Sequence, residues 1–249
     1  MAARVAFVDT VEELAASRPD VAVFRDPMLE PGALTEFDGI TLAVATRSDV
    51  RADASNFDRI VATDPRLAES AAAWRTIPFP VADDRFADVA PIHGQPRIVL
   101  DGEPTPTRRR FLESLGEEFA SMPWSGDGDI VIHLHDPGDD DAAERTSLHL
   151  AAGRLIIADR RRPRHDLVPG VHYVEAGAGW HLAQLVYDLR RWPDNYDVVR
   201  MRGRRYAERS RQSQLYPRLI ADLYRDLAAF GSERPKTSTS STMSRTSAG

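Results

Sequence analysis

The sequence contains no cysteine, which excludes disulfides, thiolate metal ligands and cysteine nucleophiles. Lysine is almost absent as well, because 32 residues are basic and all of them except Lys236 are arginines. No apolar run approaches the roughly 18 residues that a membrane-spanning helix requires, and the N-terminus carries no recognisable secretion signal. These absences predict a cytoplasmic protein with no membrane span.

Several motifs that mark particular chemistries are also missing. The chain has no phosphate-binding P-loop, no G-x-G-x-x-G, no G-x-S-x-G and no H-E-x-x-H pattern. The net charge is -6, but arginines predominate over residues 151–230. Nucleic-acid binding is disfavoured because neither an aromatic-rich strand nor a helix-turn-helix pattern accompanies these arginines. Nucleotide phosphates or an acidic surface of the same protein are the alternative partners of this basic segment.

Short apolar runs alternate with amphipathic segments along most of the chain. Such alternation is typical of parallel βαβ packing, and it predicts an α/β fold with two Rossmann-like units. Predicted strands cover residues 4–8, 21–24, 40–45, 60–62, 77–80, 98–100, 129–134, 155–158 and 171–174. Predicted helices follow Thr10 and Asp64 and cover 108–120, 142–152, 180–191 and about 196–230, with a break near Pro217.

Composition divides the chain further. Residues 1–80 form a reduced N-terminal α/β unit, and 81–96 lack periodicity and are interpreted as a linker. Residues 97–231 form a second, larger α/β domain with a helical C-terminal end. The tail over 232–249 is rich in serine and threonine with almost no apolar residues, so we expect it to be disordered.

The stretch 127–175 concentrates the loop chemistry of the second domain. It contains a strand, a loop, a helix that ends at Gly153, another strand and an arginine-rich loop. In open α/β sheets, ligands bind outside the carboxyl ends of strands, near helix N-termini. We therefore expect a small-molecule site in this stretch.

The candidate site residues lie on two loop–helix junctions. Arg108 begins a helix after the loop that contains Gly102, where a guanidinium would clamp a diphosphate; the alternative is a solvated basic turn. The second junction begins with Glu144, Arg145, Thr146 and Ser147, whose amides and charge suit a hydroxyl and a phosphate, or simply a helix cap with a salt bridge.

Histidines mark the end of the strand that precedes the second junction. His133 and His135 point to the same side of this strand, and His135, at its carboxyl end, is a candidate for contact with a substrate hydroxyl. With Asp136 the pair suggests a metal, but no convincing third ligand accompanies it. We expect no metal site.

Four segments of the second half follow one another in a fixed order. They are a strand and glycine loop leading to an arginine at a helix start (98–108), the strand DIVIHLH (129–135), the helix RTSLHLAAG (145–153), and GVHYVE (170–175). This order resembles the C-terminal, nucleotide-sugar-binding domain of group-1 glycosyltransferases with the GT-B fold, and in particular the bacterial spore-maturation-like branch.

The resemblance implies a hexosyltransferase that uses a nucleotide diphosphate sugar as donor, holds it between 102–108 and 144–147, and needs no other cofactor. The acceptor is left open, as is a protein partner or a second copy of the chain. A hypothesis of a different class is a catalytically inactive relative that acts as a binding or scaffolding subunit. It is favoured by Leu148, which stands where the family has a donor-binding glutamate, and by the small first unit. Another nucleotide- or phosphate-binding α/β protein is the third alternative.

Overall fold

The structure is a computed structural model, and it describes residues 4–47, 55–92, 94–124, 126–134, 142–159, 166–177 and 179–231. The chain forms two compact units. The first comprises Met1–Ile77 together with Leu223–Gly249, and the second comprises Pro78–Asp222. The serine- and threonine-rich tail that the sequence predicts to be disordered lies outside the described residues.

The first unit contains a five-stranded sheet in the order β1-β2-β3-β4-β5, parallel throughout. Its strands are Val5–Phe7 (β1), Val21–Arg25 (β2), Ile40–Ala45 (β3), Arg59–Ala62 (β4) and Arg75–Thr76 (β5). The last strand lies ahead of the predicted run 77–80, where two prolines lack the amide hydrogen that a strand pairing needs. The buried, nearly continuous apolar runs of β2, β3 and β4 are typical of a parallel sheet.

Two helices of the first unit begin where the sequence predicts. Helix α1 (Val11–Ser17) is capped by Thr10, whose hydroxyl accepts a hydrogen bond from the Glu13 amide at 3.2 Å. Helix α2 (Pro65–Ser70) is capped by Asp64, with proline at its first position. In both caps a side-chain oxygen accepts a hydrogen bond from a backbone amide that has no acceptor within the helix.

The second unit has a four-stranded parallel sheet in the order β6-β7-β8-β9. Its strands are Ile98–Leu100 (β6), Ile130–His133 (β7), Leu155–Ala158 (β8) and Val174–Glu175 (β9). Its helices are Pro106–Leu115 (α3), Glu117–Ala120 (α4), Ala142–Ala151 (α5), Gly179–Arg191 (α6) and Asp197–Ala207 (α7). A last helix, Gln212–Phe230 (α8), completes the helical C-terminal end and contributes residues to both units. The α/β fold with two Rossmann-like units is confirmed.

Three boundaries predicted in the second unit were also wrong. The helix predicted over 108–120 is two helices, because Gly116 has φ +115°, a conformation that favours glycine. The strand predicted over 171–174 begins only at Val174, since the chain turns through 168–172, where the His172 amide donates to the Val168 carbonyl. Pro217 lies inside α8 without ending it, and the break falls at Glu208–Ser210.

Alternate residues of β8 point to opposite faces of the second sheet. Leu155 and Ile157 pack on one face beneath α3 and α6, within a cluster that includes Leu112 and Leu185. Residues 156 and 158 pack on the other face, beneath α5 and α7. Because helices cover both faces of this parallel sheet, the positions that are open to a ligand lie at the ends of its strands.

The segment 81–96 has little regular structure and runs along the second unit. The Val81 amide donates to the Ser210 carbonyl at 2.8 Å, and the Ala87 amide donates to the Ala151 carbonyl. Phe86 lies within 4.9 Å of the Arg204 guanidinium and within 4.1 Å of the Arg211 guanidinium. These contacts hold the segment against α5 and α7.

Candidate functional site

The carboxyl ends of β7 and β8 and the N-terminal parts of α3 and α6 enclose a pocket of about 240 Å³ in the second unit. Its walls are mostly apolar, and they include Phe111, Ile132, Leu134, Ile157 and Leu182. Arg108, Thr107 and Asp159 add polar groups at the edge, and Gly177 and Gly179 form part of the wall. An apolar pocket with a few polar groups at a strand end is the usual form of a small-molecule site.

Gly102 lies beside this pocket in the loop between β6 and α3. It has φ +83°, and a Cβ placed on it would lie 2.8 Å from Nη1 of Arg108 and 3.1 Å from Nη2 of Arg145. Only glycine allows both guanidinium groups to approach the backbone so closely. The structure therefore brings together Gly102, Arg108 and Arg145, which the sequence singled out on two separate junctions.

Arg108 is buried, with 4% of its surface exposed, whereas its neighbours Arg109 and Arg110 are exposed. Its amide donates to the Oγ1 of Thr105 at the start of α3, and its Nη1 donates to the Glu103 carbonyl at 3.0 Å. The helix start thus directs one arginine of three toward the pocket. A solvated basic turn describes Arg109 and Arg110 but not Arg108.

Arg145 is held by Asp101, a residue that the sequence analysis did not single out. Asp101 Oδ1 accepts a hydrogen bond from Arg145 Nε at 3.0 Å and lies 3.0 Å from His149 Nε2. Asp101 Oδ2 lies 2.6 Å from His133 Nδ1. The carboxylate is almost fully buried, and we call Asp101, His133, Arg145 and His149 the Asp101 cluster.

Burial alone would raise the pKa of Asp101. Hydrogen bonds from His133 and His149 and the positive charge of Arg145 outweigh this effect, and they hold the pKa of Asp101 well below its usual range. Asp101 is therefore ionised, and its two oxygens act only as hydrogen-bond acceptors. Its charge offsets part of the positive charge near Gly102.

The sequence contains a signal for this cluster in the spacing of its residues. Residues 145 and 149 lie four apart on α5 and share a face, while Asp101 and His133 end neighbouring parallel strands. An acidic residue directly after a buried strand, opposite two such basic residues, predicts a contact at the carboxyl edge of the sheet. Helix and strand periodicity considered separately does not reveal it.

The remaining predicted residues lie elsewhere. Thr146 and Ser147 are buried in α5, and the Ser147 hydroxyl donates to the Ala143 carbonyl at 2.7 Å. Glu144 is half-buried in the first turn of α5. His135 lies outside the described residues. Of the predicted site residues that the structure does describe, Arg108 alone lines the pocket.

Leu148, nearly two turns into α5, packs on the face of the sheet opposite the pocket. It lies against the cluster that contains Phe79, Leu150 and Ile156, whereas the pocket-lining Ile132 and Leu182 belong to the cluster on the other face. A side chain at position 148 is therefore directed toward the opposite face of the sheet, away from the pocket.

Within the described ranges, no group of three or more His, Asp or Glu side chains is placed to hold a metal ion. No helix among the described residues is long and apolar enough to cross a membrane.

Known proteins were compared with both the sequence and the structure. No protein-family model matches the sequence, and no curated protein sequence matches it significantly. Solved structures do match the fold, among them the following three. Anabaena HepE in complex with UDP and glucose matches with a TM-score of 0.52 at 9% identity, over 85% of this chain and 79% of that one.

The second structure is sucrose-phosphate synthase from Thermosynechococcus elongatus, with a TM-score of 0.50 at 14% identity, over 88% of this chain and 76% of that one. The third is a glycosyltransferase from Rickettsia africae, with a TM-score of 0.52 at 10% identity, over 87% of this chain and 79% of that one. At these identities the likeness concerns the fold, which is the GT-B-like fold of two Rossmann-like units. The finer assignment to the spore-maturation-like branch stays a prediction.

Proposed function

We propose that this protein is a glycosyltransferase that transfers a hexose from a nucleotide diphosphate sugar to an acceptor hydroxyl. The observation that carries the proposal is the approach of two guanidinium groups, from Arg108 and Arg145, to Gly102 beside an apolar pocket. The pocket suits a base and ribose, and the two arginines suit the diphosphate that links the ribose to the sugar.

The chemistry of sugar transfer explains why positive charge is needed there. As the bond to the sugar breaks, negative charge develops on the diphosphate that leaves. Guanidinium groups already fixed near these oxygens stabilise this charge more in the transition state than in the ground state, which accelerates the reaction. Arg108, fixed by burial, and Arg145, fixed by Asp101, meet this requirement.

The comparisons support the choice of UDP as the first probe, since Anabaena HepE is described in complex with UDP and glucose. Calorimetric titration of the protein with UDP, GDP and their glucose and mannose conjugates tests binding. Release of UDP or GDP from the conjugate, in the presence of simple sugar acceptors, tests transfer. Absence of binding by every one of these nucleotides would exclude the proposal.

Variants of α3 make the binding test specific. Arg108→Ala is expected to weaken nucleotide diphosphate binding by about 10-fold or more, because a charge-assisted contact to phosphate is lost. Arg110→Ala is the matched control, since it removes the same charge from an exposed position of the same helix. Equal affinity in the two variants would place the diphosphate elsewhere.

The second candidate is a catalytically inactive relative that binds a nucleotide or serves as a scaffold. Leu148 favours it, because a half-buried leucine packed against the core stands where the resemblance leads one to expect a donor-binding glutamate. Binding of UDP or GDP without release of nucleotide from any conjugate would favour this candidate.

A further inference from the structure

We propose that Asp101 is the positioning residue of the donor site, which fixes the Arg145 guanidinium beside Gly102 before any ligand binds. Asp101 would act through Arg145 rather than touch the donor. This inference rests on the proposed binding of a nucleotide diphosphate. It goes beyond that proposal, because it assigns a role to a residue outside the pocket.

The Asp101 carboxylate is buried. A buried charge destabilises a fold unless it is fully paired, and an apolar residue of similar size would serve packing alone equally well. Asp101 lies directly after the buried Leu100 at the end of β6, with only 3% of its side chain exposed. An ionised residue at such a position points to a role other than packing.

The carboxylate engages one particular atom of the Arg145 guanidinium. Asp101 Oδ1 accepts from Nε, at the inner corner of the guanidinium. Because the guanidinium is planar and rigid, fixing Nε also fixes the direction of both Nη groups. Nη2 then lies 3.1 Å from the point where a Gly102 side chain would begin, and Arg108 Nη1 lies 2.8 Å from the same point. Asp101 thus sets the spacing between the two guanidinium groups.

Asp101 is itself held in place by residues on two further elements of the fold. His133 approaches from β7 and His149 from α5, each within 3.0 Å of a carboxylate oxygen. His149 Nδ1 lies 3.4 Å from Nη1 of Arg154, which can only donate, so a proton on Nε2, facing Asp101, satisfies both contacts of the ring. Arg154 in turn donates to the Gly126 carbonyl. The Asp101 cluster is therefore a connected network that holds the carboxylate in place against Arg145 Nε.

A double-mutant cycle separates positioning from a merely structural role. The variants are Asp101→Asn, Arg145→Ala and the pair together, and the probes are UDP and uridine, titrated by calorimetry. We expect Asp101→Asn to weaken UDP binding by about 10-fold and to leave uridine binding unchanged, since uridine has no phosphate to contact Arg145. In the Arg145→Ala background, Asp101→Asn should have no further effect on UDP binding.

Each contrary outcome has a distinct meaning. Failure of the wild type to bind UDP or GDP would overturn the proposed function, and this inference with it. If the wild type binds UDP and Asp101→Asn binds equally well, the positioning role alone is wrong. Equal losses for UDP and uridine, or losses that multiply in the double variant, would also overturn it, because both indicate general damage to the fold.

A second variant serves if Asp101→Asn does not fold. His149→Ala removes one donor to the same oxygen and lies on the less buried side of the cluster. It is expected to weaken UDP binding by about 3-fold, without effect on uridine and without effect in the Arg145→Ala background. An unchanged affinity for UDP would contradict the proposal.

Discussion

Arg145 and His149 stand one helical turn apart on α5 and lie 3.0 Å from the same oxygen, Oδ1 of Asp101. Two positively polarised groups on one helix face thus converge on a buried carboxylate at the end of the neighbouring strand β6. The helix is thereby tied to the sheet at the edge where a ligand is expected. Four predictions follow from this arrangement and from the rest of the fold.

Gly102→Ala is expected to destabilise the second unit and to weaken nucleotide binding. A methyl group there would meet Arg108 at 2.8 Å, and the backbone has φ +83°. Together these effects should lower the free energy of unfolding by about 2 kcal/mol. Urea denaturation measures the loss.

Gly94→Ala is the matched control for Gly102→Ala. Gly94 has φ +78°, but a Cβ there would have nothing within 4 Å. It should show the backbone effect of about 1 kcal/mol without the steric one, and unchanged affinity for UDP. Equal losses in the two variants would mean that the close approach of the arginines contributes nothing.

Glu208 should make the stability of the protein depend on pH in the acid range. A hydrogen bond from Arg211, at 2.7 Å, and a contact with Arg204 lower the pKa of Glu208 from 4.5 to about 2. A carboxylate whose pKa is lower in the folded state stabilises the fold above its unfolded pKa and loses this effect as pH falls through the folded value.

Glu208→Gln tests this pH dependence. Because the side chain is one-third exposed, solvent screening limits its contribution to about 1 kcal/mol at pH 7. The difference in unfolding free energy between the wild type and this variant should shrink as pH falls from 4.5 towards 2. A constant difference over that range, measured by urea denaturation, would contradict the lowered pKa.

Asp226→Ala should loosen the C-terminal end of α8 in the first unit. Arg59 on β4 is buried, and its Nε donates to Asp226 Oδ2 at 2.6 Å, while its Nη2 donates to the Gly231 carbonyl. Removal of the carboxylate leaves the buried charge of Arg59 poorly compensated. This should lower the free energy of unfolding by about 3 kcal/mol. Hydrogen exchange of the amides over 223–231 should accelerate.

An exposed ion pair of the same unit provides the comparison for Asp226→Ala. Arg4 and Asp20 lie 3.7 Å apart, with 69% and 49% of their side chains exposed. Arg4→Ala should change stability by less than about 1 kcal/mol and leave exchange over 223–231 unaltered. A larger effect from Arg4→Ala than from Asp226→Ala would refute the role assigned to the buried pair.

Leu148→Glu should not restore donor affinity. The side chain at this position packs on the face of the sheet opposite the pocket, so a glutamate there would lie against the apolar cluster with Phe79 and away from the pocket. We expect a stability loss of about 2 kcal/mol and unchanged UDP affinity. Leu148→Met, which keeps the volume and polarity, should lose less than about 1.5 kcal/mol. A gain in UDP affinity for the glutamate variant would show that position 148 reaches the donor.

The sequence predicts the architecture well because parallel strands buried on both faces are continuous apolar runs. Runs such as 40–45 and 155–158 appear as strands at their predicted places. Boundaries set by a single backbone angle or by tertiary contacts were missed. Gly116 divides a helix through its φ of +115°, and Pro217 is tolerated inside α8.

The site could be predicted only in part, for a related reason. Arg108 and Arg145 stand at helix starts, which are recognisable from sequence, and the structure brings both to Gly102. Asp101 acts through partners 32, 44 and 48 residues away, and no local pattern encodes such distances. Burial decides which of three consecutive arginines is directed to the pocket, and only the packed fold specifies burial.

The division of α8 between the two units has a consequence for folding during synthesis. The pair Arg59–Asp226 spans 167 residues of chain, and 223–231 belong to the same unit as the first strand. On the ribosome, residues 78–222 are complete before that closing segment emerges, so the second unit can fold first. The first unit stays unfinished until translation has passed Gly231, and a stalled or truncated nascent chain would expose its strands β1 to β4 to chaperones and proteases.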